Sequence, residues 1–124
     1  MTINSSLAPG QSLQSNQSIT SPNGRYTLIM QNDGNLVVYK TPASVANAIW
    51  ATNTAGSGAK QVIMQMDGNL VVYKGNGTSP ADAVWASNTV GPNNSLLLMQ
   101  DDGNLVIYVL KAENSSWASN TVQP

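Results

Sequence analysis

Residues 30–39 read Met-Gln-Asn-Asp-Gly-Asn-Leu-Val-Val-Tyr, and nearly the same ten residues return twice further along the chain. The second copy, residues 64–73, reads Met-Gln-Met-Asp-Gly-Asn-Leu-Val-Val-Tyr, and the third, residues 99–108, reads Met-Gln-Asp-Asp-Gly-Asn-Leu-Val-Ile-Tyr. The copies begin 34 and 35 residues apart. A period of this length indicates a repeat architecture in which each copy is one supersecondary unit.

A second block, Trp-Ala-Ser/Thr-Asn-Thr, follows each copy and begins at Trp50, Trp85 and Trp117. The distance from the last tyrosine of the first block to this tryptophan is 11, 12 and 9 residues, and such variation in length is typical of a surface loop. Aromatic rings can stack on ligands, but each tryptophan here has small neighbours. We therefore expect the three rings to be buried where the units meet near a common axis.

Short runs rich in β-branched and aromatic residues, at 26–31, 35–40 and 48–54 of the first unit, predict three strands per repeat. Further strand-like material lies in residues 10–21, and no segment has a helical period. We predict an all-β fold with approximate threefold symmetry in a single domain, residues 1–124. Its parts are an N-terminal strand segment, about 1–23, and repeats at about 24–57, 58–92 and 93–124.

The Asp-Gly step between the first two strands of a unit allows two hairpin connections. A two-residue type I′ turn would pair Gln31 with Leu36, which mixes polar and apolar residues on one face. A three-residue loop, residues 32–34 with Gly34 at positive φ, would pair Gln31 with Asn35 and separate the faces cleanly. We prefer the three-residue loop.

The three-residue loop assigns the two faces of every hairpin. The inner face carries Leu28, Met30, Leu36 and Val38, then Val62, Met64, Leu70 and Val72, then Leu97, Met99, Leu105 and Ile107. The outer face carries Gln31, Asn35, Val37 and Tyr39, then Gln65, Asn69, Val71 and Tyr73, then Gln100, Asn104, Val106 and Tyr108. Asp33, Asp67 and Asp102 lie in the loops beside these outer rows.

The outer row of each unit has the chemistry of a carbohydrate site. A pyranose needs hydrogen-bond donors and acceptors for its hydroxyls and an apolar patch for its C–H face, and an amide, a carboxylate, a phenol and a valine supply them. A solvated strand face has no reason to keep Gln, Asn and Tyr in every copy, while neighbouring positions vary as Asn32, Met66 and Asp101. We predict three carbohydrate-binding sites built from these outer rows.

The motif Gln-x-Asp-x-Asn-x-Val-x-Tyr, at 31–39, 65–73 and 100–108, together with the tryptophan block, resembles the bulb-type, snowdrop agglutinin-like family of monocot mannose-binding lectins over about residues 10–124. This resemblance implies a β-prism II fold, with three four-stranded sheets around a pseudo-threefold axis. It also implies that Asp33 and Asn35, helped by Gln31, hold the axial 2-hydroxyl of mannose, that Tyr39 bonds the 4-hydroxyl and that Val37 packs on the ring. The matching residues of the other motifs take the same roles.

Composition argues against several other functions. The chain has no Cys and no His, 9% charged residues and a net charge of -1, and its basic residues are scattered singly, so we expect no binding of nucleic acid and no membrane insertion. Glycoside hydrolysis needs two facing carboxylates, whereas each repeat offers one motif aspartate, so we expect no enzyme. We expect no cofactor and no metal, because one carboxylate in the loop 32–35 is few for the calcium site considered as an alternative.

The sequence also bears on location, assembly and an alternative function. Residues 1–6 have neither a basic start nor an apolar run, so we expect no signal peptide and either cytoplasmic synthesis or non-classical export, although a signal removed earlier stays compatible. In its lack of cysteine the chain resembles bacterial or other non-plant members of this lectin family. By resemblance we expect a homodimer, with exchange of residues 120–124 as one route. The alternative to a multivalent lectin is an antibacterial or protein-interaction module that uses another surface.

Overall fold

A computed structural model describes residues 4–91, 94–109 and 114–123, and for residues 114–116 the backbone alone. Twelve strands are β1 Ser6–Leu7, β2 Ser12–Gln14, β3 Ser18–Thr20, β4 Tyr26–Met30, β5 Leu36–Lys40, β6 Ala48–Ala51, β7 Ala59–Met64, β8 Leu70–Lys74, β9 Ala83–Ala86, β10 Ser95–Met99, β11 Leu105–Val109 and β12 Asn114–Ala118. Short 3-10 turns, Val45–Asn47 and Pro80–Asp82, precede β6 and β9. No helix in the described ranges is long and apolar enough to cross a membrane.

The strands form three four-stranded antiparallel sheets, in the orders β3-β4-β5-β6, β2-β7-β8-β9 and β1-β10-β11-β12. Each repeat supplies three consecutive strands of one sheet, and the N-terminal segment adds the fourth strand to all three. This arrangement confirms the predicted β-prism II fold. The N-terminal strands begin at Ser6, Ser12 and Ser18, so they recur every six residues, and the first of them lies before the segment that we predicted to be strand-like.

The hairpin connection is the three-residue loop. Met30 pairs with Leu36 across β4 and β5, and the amide N–H of Gln31 donates to the carbonyl of Asn35 at 2.9 Å. Gly34 has a φ of +95°, and a Cβ there would lie 3.0 Å from the carbonyl oxygen of Thr54. Both the left-handed backbone and the close approach require glycine at this position. The same register occurs in the other two hairpins.

The core lies between the sheets and is made of the predicted inner rows. All twelve of these Leu, Met, Val and Ile side chains have 0% exposure. The buried side chains of Leu7, Leu13 and Ile19, one from each N-terminal strand, extend the same core. Full burial of an aliphatic side chain contributes about 1.5–3 kcal/mol, so the inner rows dominate the stability of a chain without cysteine.

The third strand of each unit carries a β-bulge beside its tryptophan. Trp50 pairs with Val38 and Ala48 pairs with Tyr39, which leaves Ile49 as the extra residue. As a result, both Ile49 and Trp50 pack against the core. The register shifts at the equivalent place in the second and third sheets.

The three tryptophans, one from each sheet, contact one another. The ring centroids of Trp50, Trp85 and Trp117 lie 5.4–5.8 Å apart in edge-to-face contacts. The expected packing near a common axis is therefore confirmed, although the rings are only partly buried. The tryptophans sit on β6, β9 and β12, which are edge strands, and β1, β2 and β3 lie at the opposite edges of the same sheets.

Candidate carbohydrate-binding sites

The aspartate in each hairpin loop is oriented by its own backbone. In the first unit, Oδ1 of Asp33 accepts a hydrogen bond from the amide N–H of Asn35 at 2.9 Å. A bond from a side chain to the backbone two residues later is a typical turn device of Asp and Asn. It holds the carboxylate at the end of the outer row, next to Gln31.

The glutamine links the carboxylate to the tyrosine. Nε2 of Gln31 donates to both carboxylate oxygens of Asp33 at 3.1 Å, while its Oε1 accepts a hydrogen bond from the hydroxyl of Tyr39. These partners determine which end of the amide faces which group. They also engage the phenolic hydrogen, so the Tyr39 oxygen can only accept a further hydrogen bond.

The asparagine is held from behind by the tryptophan block. Oδ1 of Asn35 accepts hydrogen bonds from the amide N–H of Thr54 at 3.2 Å and from Oγ1 of Thr52 at 3.3 Å. With the oxygen turned toward these donors, the Nδ2 of Asn35 faces away from them. The residue therefore offers a donor beside the Asp33 carboxylate, which is an acceptor.

The same connections are present in the second and third units. Nε2 of the glutamine lies 3.1–3.3 Å from the carboxylate oxygens in the pairs Gln65–Asp67 and Gln100–Asp102. The aspartate accepts from the asparagine amide N–H at 3.0 Å for Asn69 and 2.9 Å for Asn104. The tyrosine hydroxyls of Tyr73 and Tyr108 donate to their glutamines. All four polar members of each predicted row are thus brought together three times.

The valines lie between these polar groups but are nearly covered. Val37, Val71 and Val106 each retain 3% exposure. In the first unit Tyr39 pairs with Thr27 across the hairpin, so its bond to Gln31 passes over the rung that contains Val37. The apolar patch of each site is therefore smaller than the sequence suggests, because the tyrosine–glutamine contact spans it.

Two hydroxyl residues behind each loop were not identified from the sequence. Oγ1 of Thr54 donates to the carbonyl of Gly34 at 2.6 Å, and Oγ1 of Thr52 accepts from the amide N–H of Leu36 at 3.2 Å. The two hydroxyl oxygens lie 2.8 Å apart. The equivalent pairs are Ser87 with Thr89 and Ser119 with Thr121. The signal was the threefold recurrence of Trp-Ala-Ser/Thr-Asn-Thr, in which we interpreted only the tryptophan.

The asparagine inside this block has a conformational role. Asn53, Asn88 and Asn120 have φ values of +60°, +60° and +58°. Asparagine tolerates the left-handed region better than most residues, which explains why it separates the two hydroxyl residues in every copy. The turn at this residue allows both hydroxyls to face the hairpin loop.

The tyrosines differ in exposure between the units. Tyr73 retains 5% exposure, whereas Tyr39 and Tyr108 are half-buried. Burial, and secondly the negative charge of Asp67, raise the pKa of the Tyr73 phenol above its ordinary value of 10.0. This phenol therefore keeps its proton well above neutral pH and continues to donate to Gln65.

The polar row of each site contains one carboxylate, and in the third site the neighbouring Asp101 bonds the amide N–H of Asn23 instead. In the described ranges, no group of three or more His, Cys, Asp or Glu residues lies close enough together to hold a metal ion. Both oxygens of the Asp33 carboxylate are engaged by Gln31.

Comparison with known proteins identifies the family, although no family model matches the chain. A mannose-specific lectin of Narcissus pseudonarcissus is 48% identical over 50 residues, which are 40% of this chain and 35% of that protein, so the match spans about a third of that relative. Monomeric monocot mannose-binding lectins from Gastrodia elata are 40% identical in a solved structure, with 96% of this chain and 99% of that chain covered and a TM-score of 0.80. Snowdrop (Galanthus nivalis) agglutinin, solved with methyl-α-D-mannoside, is 37% identical, with 98% and 100% covered and a TM-score of 0.72. The chain belongs to the monocot mannose-binding lectin family.

Proposed function

We propose that this protein is a multivalent lectin that binds mannose-type glycans at three shallow sites without a metal. The proposed binding residues are Gln31, Asp33, Asn35, Val37 and Tyr39, then Gln65, Asp67, Asn69, Val71 and Tyr73, then Gln100, Asp102, Asn104, Val106 and Tyr108. The observation that carries the proposal is the pairing, in every copy, of an aspartate carboxylate with an asparagine amide whose oxygen is already occupied.

This pairing suits a sugar hydroxyl, which both donates and accepts. In the first site the hydroxyl would donate to Asp33 and accept from Nδ2 of Asn35, while the oxygen of Tyr39 would accept from a second hydroxyl. Snowdrop agglutinin, which is similar over its whole length, was solved with a mannoside. That similarity supports a mannoside as the ligand. From the resemblance of the motif, we assign the first hydroxyl to the axial 2-position of mannose and the second to the 4-position.

The nearly covered valines imply weak binding at each site. An open site with few apolar contacts is expected to bind one monosaccharide with a Kd on the order of 1 mM, about 4 kcal/mol. Three sites on one chain can raise the avidity for a glycan-rich surface by about 10² to 10⁴ where several engage at once. The protein would therefore act on densely mannosylated surfaces rather than on free sugar.

A calorimetric titration with methyl α-D-mannoside tests the proposal. The variant with Asn35, Asn69 and Asn104 all changed to Ala should lose binding completely, because each site loses the donor for the 2-hydroxyl. The matched control changes two exposed asparagines outside the sites, Asn4→Ala and Asn76→Ala, and should bind as the wild type does. Thermal unfolding of all three proteins checks that they are folded. A folded wild type that gives no heat with the mannoside at tens of millimolar would refute the proposal.

Three further properties belong to the same proposal. We propose that the sites do not hydrolyse glycans, because each polar row has a single carboxylate and a glycosidase needs two that face each other. Mannoside affinity should be unchanged by a chelator. We also retain the prediction of a homodimer, for which sedimentation is the test, while the similar Gastrodia elata lectins are described as monomeric.

A further inference from the structure

The second site is bordered by apolar side chains that the first site lacks. Among the described residues, the large hydrophobic side chains that are exposed are Val45, Met66, Val90 and Val122. Three of these four lie beside a candidate site, and two of the three, Met66 at 70% exposure and Val90 at 64%, belong to the second. Isolated exposed hydrophobics need no explanation, but two at one site are unusual in a chain this polar.

Met66 and Val90 both lie at the aspartate end of that site. Met66 directly precedes Asp67, and the amide N–H of Gly91, next to Val90, donates to the carbonyl of Asp67 at 2.9 Å. Met66 leans toward the turn at Gly10, where its Cγ would lie 3.7 Å from a Cβ. Met66 and Val90 therefore both adjoin Asp67: Met66 precedes it in the chain, and Val90 precedes the glycine that bonds its carbonyl.

The other copies have different residues at these two positions. In the first site they are Asn32 and Ala55, as the amide N–H of Gly56 makes the equivalent bond to Asp33. In the third site they are Asp101 and Val122, and the Asp101 carboxylate accepts from the amide N–H of Asn23 at 2.7 Å. Only the second site has an apolar residue at both positions.

A loop borders the tyrosine end of the second site. Gln61 pairs with Tyr73 across the hairpin, and its Nε2 donates to the carbonyl of Gly77 at 3.1 Å. This bond ties the loop 75–82 beside Tyr73, which is the least exposed of the three site tyrosines. Thr27 and Leu96 occupy the position of Gln61 in the other hairpins, so an equivalent link by a glutamine is missing there.

Sugar stereochemistry then decides where a substituent can leave this site. If the proposed function holds, the 2-hydroxyl lies at Asp67 and Asn69, and the 4-hydroxyl lies at Tyr73. In a pyranose, C1 is next to C2 and opposite C4, so the group on the anomeric carbon leaves from the aspartate end. We propose that the second site selects α-mannosides whose anomeric substituent is apolar, with Met66 and Val90 covering that substituent. This inference rests on the proposed function.

The expected preference is modest. Burial of roughly 30–50 Å² of apolar surface on an aryl group should strengthen binding about 3- to 10-fold relative to a methyl group. The first site, with Asn32 and Ala55, should show no comparable preference.

Variants that keep a single site allow the comparison. Asn35→Ala with Asn104→Ala keeps the second site, and Asn69→Ala with Asn104→Ala keeps the first. Each is titrated with methyl α-D-mannoside and with p-nitrophenyl α-D-mannoside. The protein that keeps the second site should prefer the aryl mannoside about 3- to 10-fold, and the protein that keeps the first should bind the two within twofold.

An exchange of residues between the two sites supplies the matched control. Met66→Asn with Val90→Ala, the residues of the first site, should remove the preference of the second site and change its affinity for the methyl mannoside less than twofold. Asn32→Met with Ala55→Val should create the preference in the first site. Equal ratios at both sites, or ratios that the exchange does not move, would overturn the inference. Failure of both single-site proteins to bind the methyl mannoside would instead refute the proposed function.

Discussion

The two faces of each hairpin use the same strands for opposite purposes. On β8 the inner residues Leu70 and Val72 are completely buried, while Asn69, one position away, lies on the outer face. The inner face is held by apolar burial, which does not depend on direction. The outer face is held by hydrogen bonds of defined geometry, which orient groups toward a ligand. Alternation along one strand therefore separates stability from recognition, so that substitutions on the two faces should have separable effects.

The strongest test of this separation is a pair of neighbouring substitutions. Leu70→Ala should lower the free energy of unfolding by about 2–5 kcal/mol, because it leaves a cavity where a completely buried side chain was packed. Asn69→Ala should lower it by about 1 kcal/mol, yet abolish mannoside binding at the second site. Urea unfolding and calorimetry on both variants measure the two effects. Similar losses of stability for the two would contradict the separation of the faces.

Removal of residues 119–124 should break the equivalence of the three sites. Oδ1 of Asn104 accepts from the amide N–H of Thr121 at 3.1 Å, and the amide N–H of Gln123 donates to the carbonyl of Asp102 at 2.6 Å. The first two sites receive the same support from internal segments. We expect the mannoside stoichiometry of the truncated protein to fall from three to two, as read by calorimetry at high protein concentration. A stoichiometry that stays at three would show that this support is dispensable.

The pair of hydroxyl residues behind each hairpin loop should contribute modestly to both stability and mannoside affinity. In the protein that keeps only the first site, Thr52→Val removes the donor to Asn35 without changing the shape of the side chain. We expect a loss of about 1 kcal/mol in stability and a reduction of about 5-fold in mannoside affinity, because the amide of Asn35 is less firmly oriented. Thr78→Val, at an exposed loop position, is the control and should change neither quantity. An unchanged affinity for Thr52→Val would limit this residue to a purely structural role.

The smallest effect is expected from alkaline pH. The pKa of Tyr73 is raised above 10.0 by burial and by Asp67, so the folded protein holds this proton when the unfolded chain has lost it. The resulting stability is complete below pH 10 and decreases as the pH rises through the pKa of the folded state. Phenolate absorbance is measured during an alkaline titration of the wild type and of Tyr73→Phe. The variant should lack a phenol that ionises at the high-pH end of the wild-type titration. Loss of an early-titrating group would contradict the raised pKa.

Much of the fold could be predicted because each sequence feature occurs in three copies of the repeat. The alternation around each Asp-Gly step distinguished two hairpin connections, since the two-residue turn would have placed Gln31 on the same face as buried residues. The N-terminal strands were harder to recognise, because two- and three-residue strands show little alternation. The β-bulge at Ile49 was not predicted, because it depends on the register between β5 and β6 rather than on local sequence.

The candidate site also has features that the sequence determined and features that only the tertiary structure decided. Residue types and their spacing by themselves determined which side chains share an outer row, because the side-chain period of a strand is two. Only the tertiary structure decided how these side chains connect. The bond from Tyr39 to Gln31 covers Val37. Asn35 is oriented by the hydroxyl of Thr52 and the amide N–H of Thr54, which lie 17 and 19 residues further along the chain. Such contacts depend on how separate strands are brought together, and a pattern along one strand carries no information about the groups packed behind it.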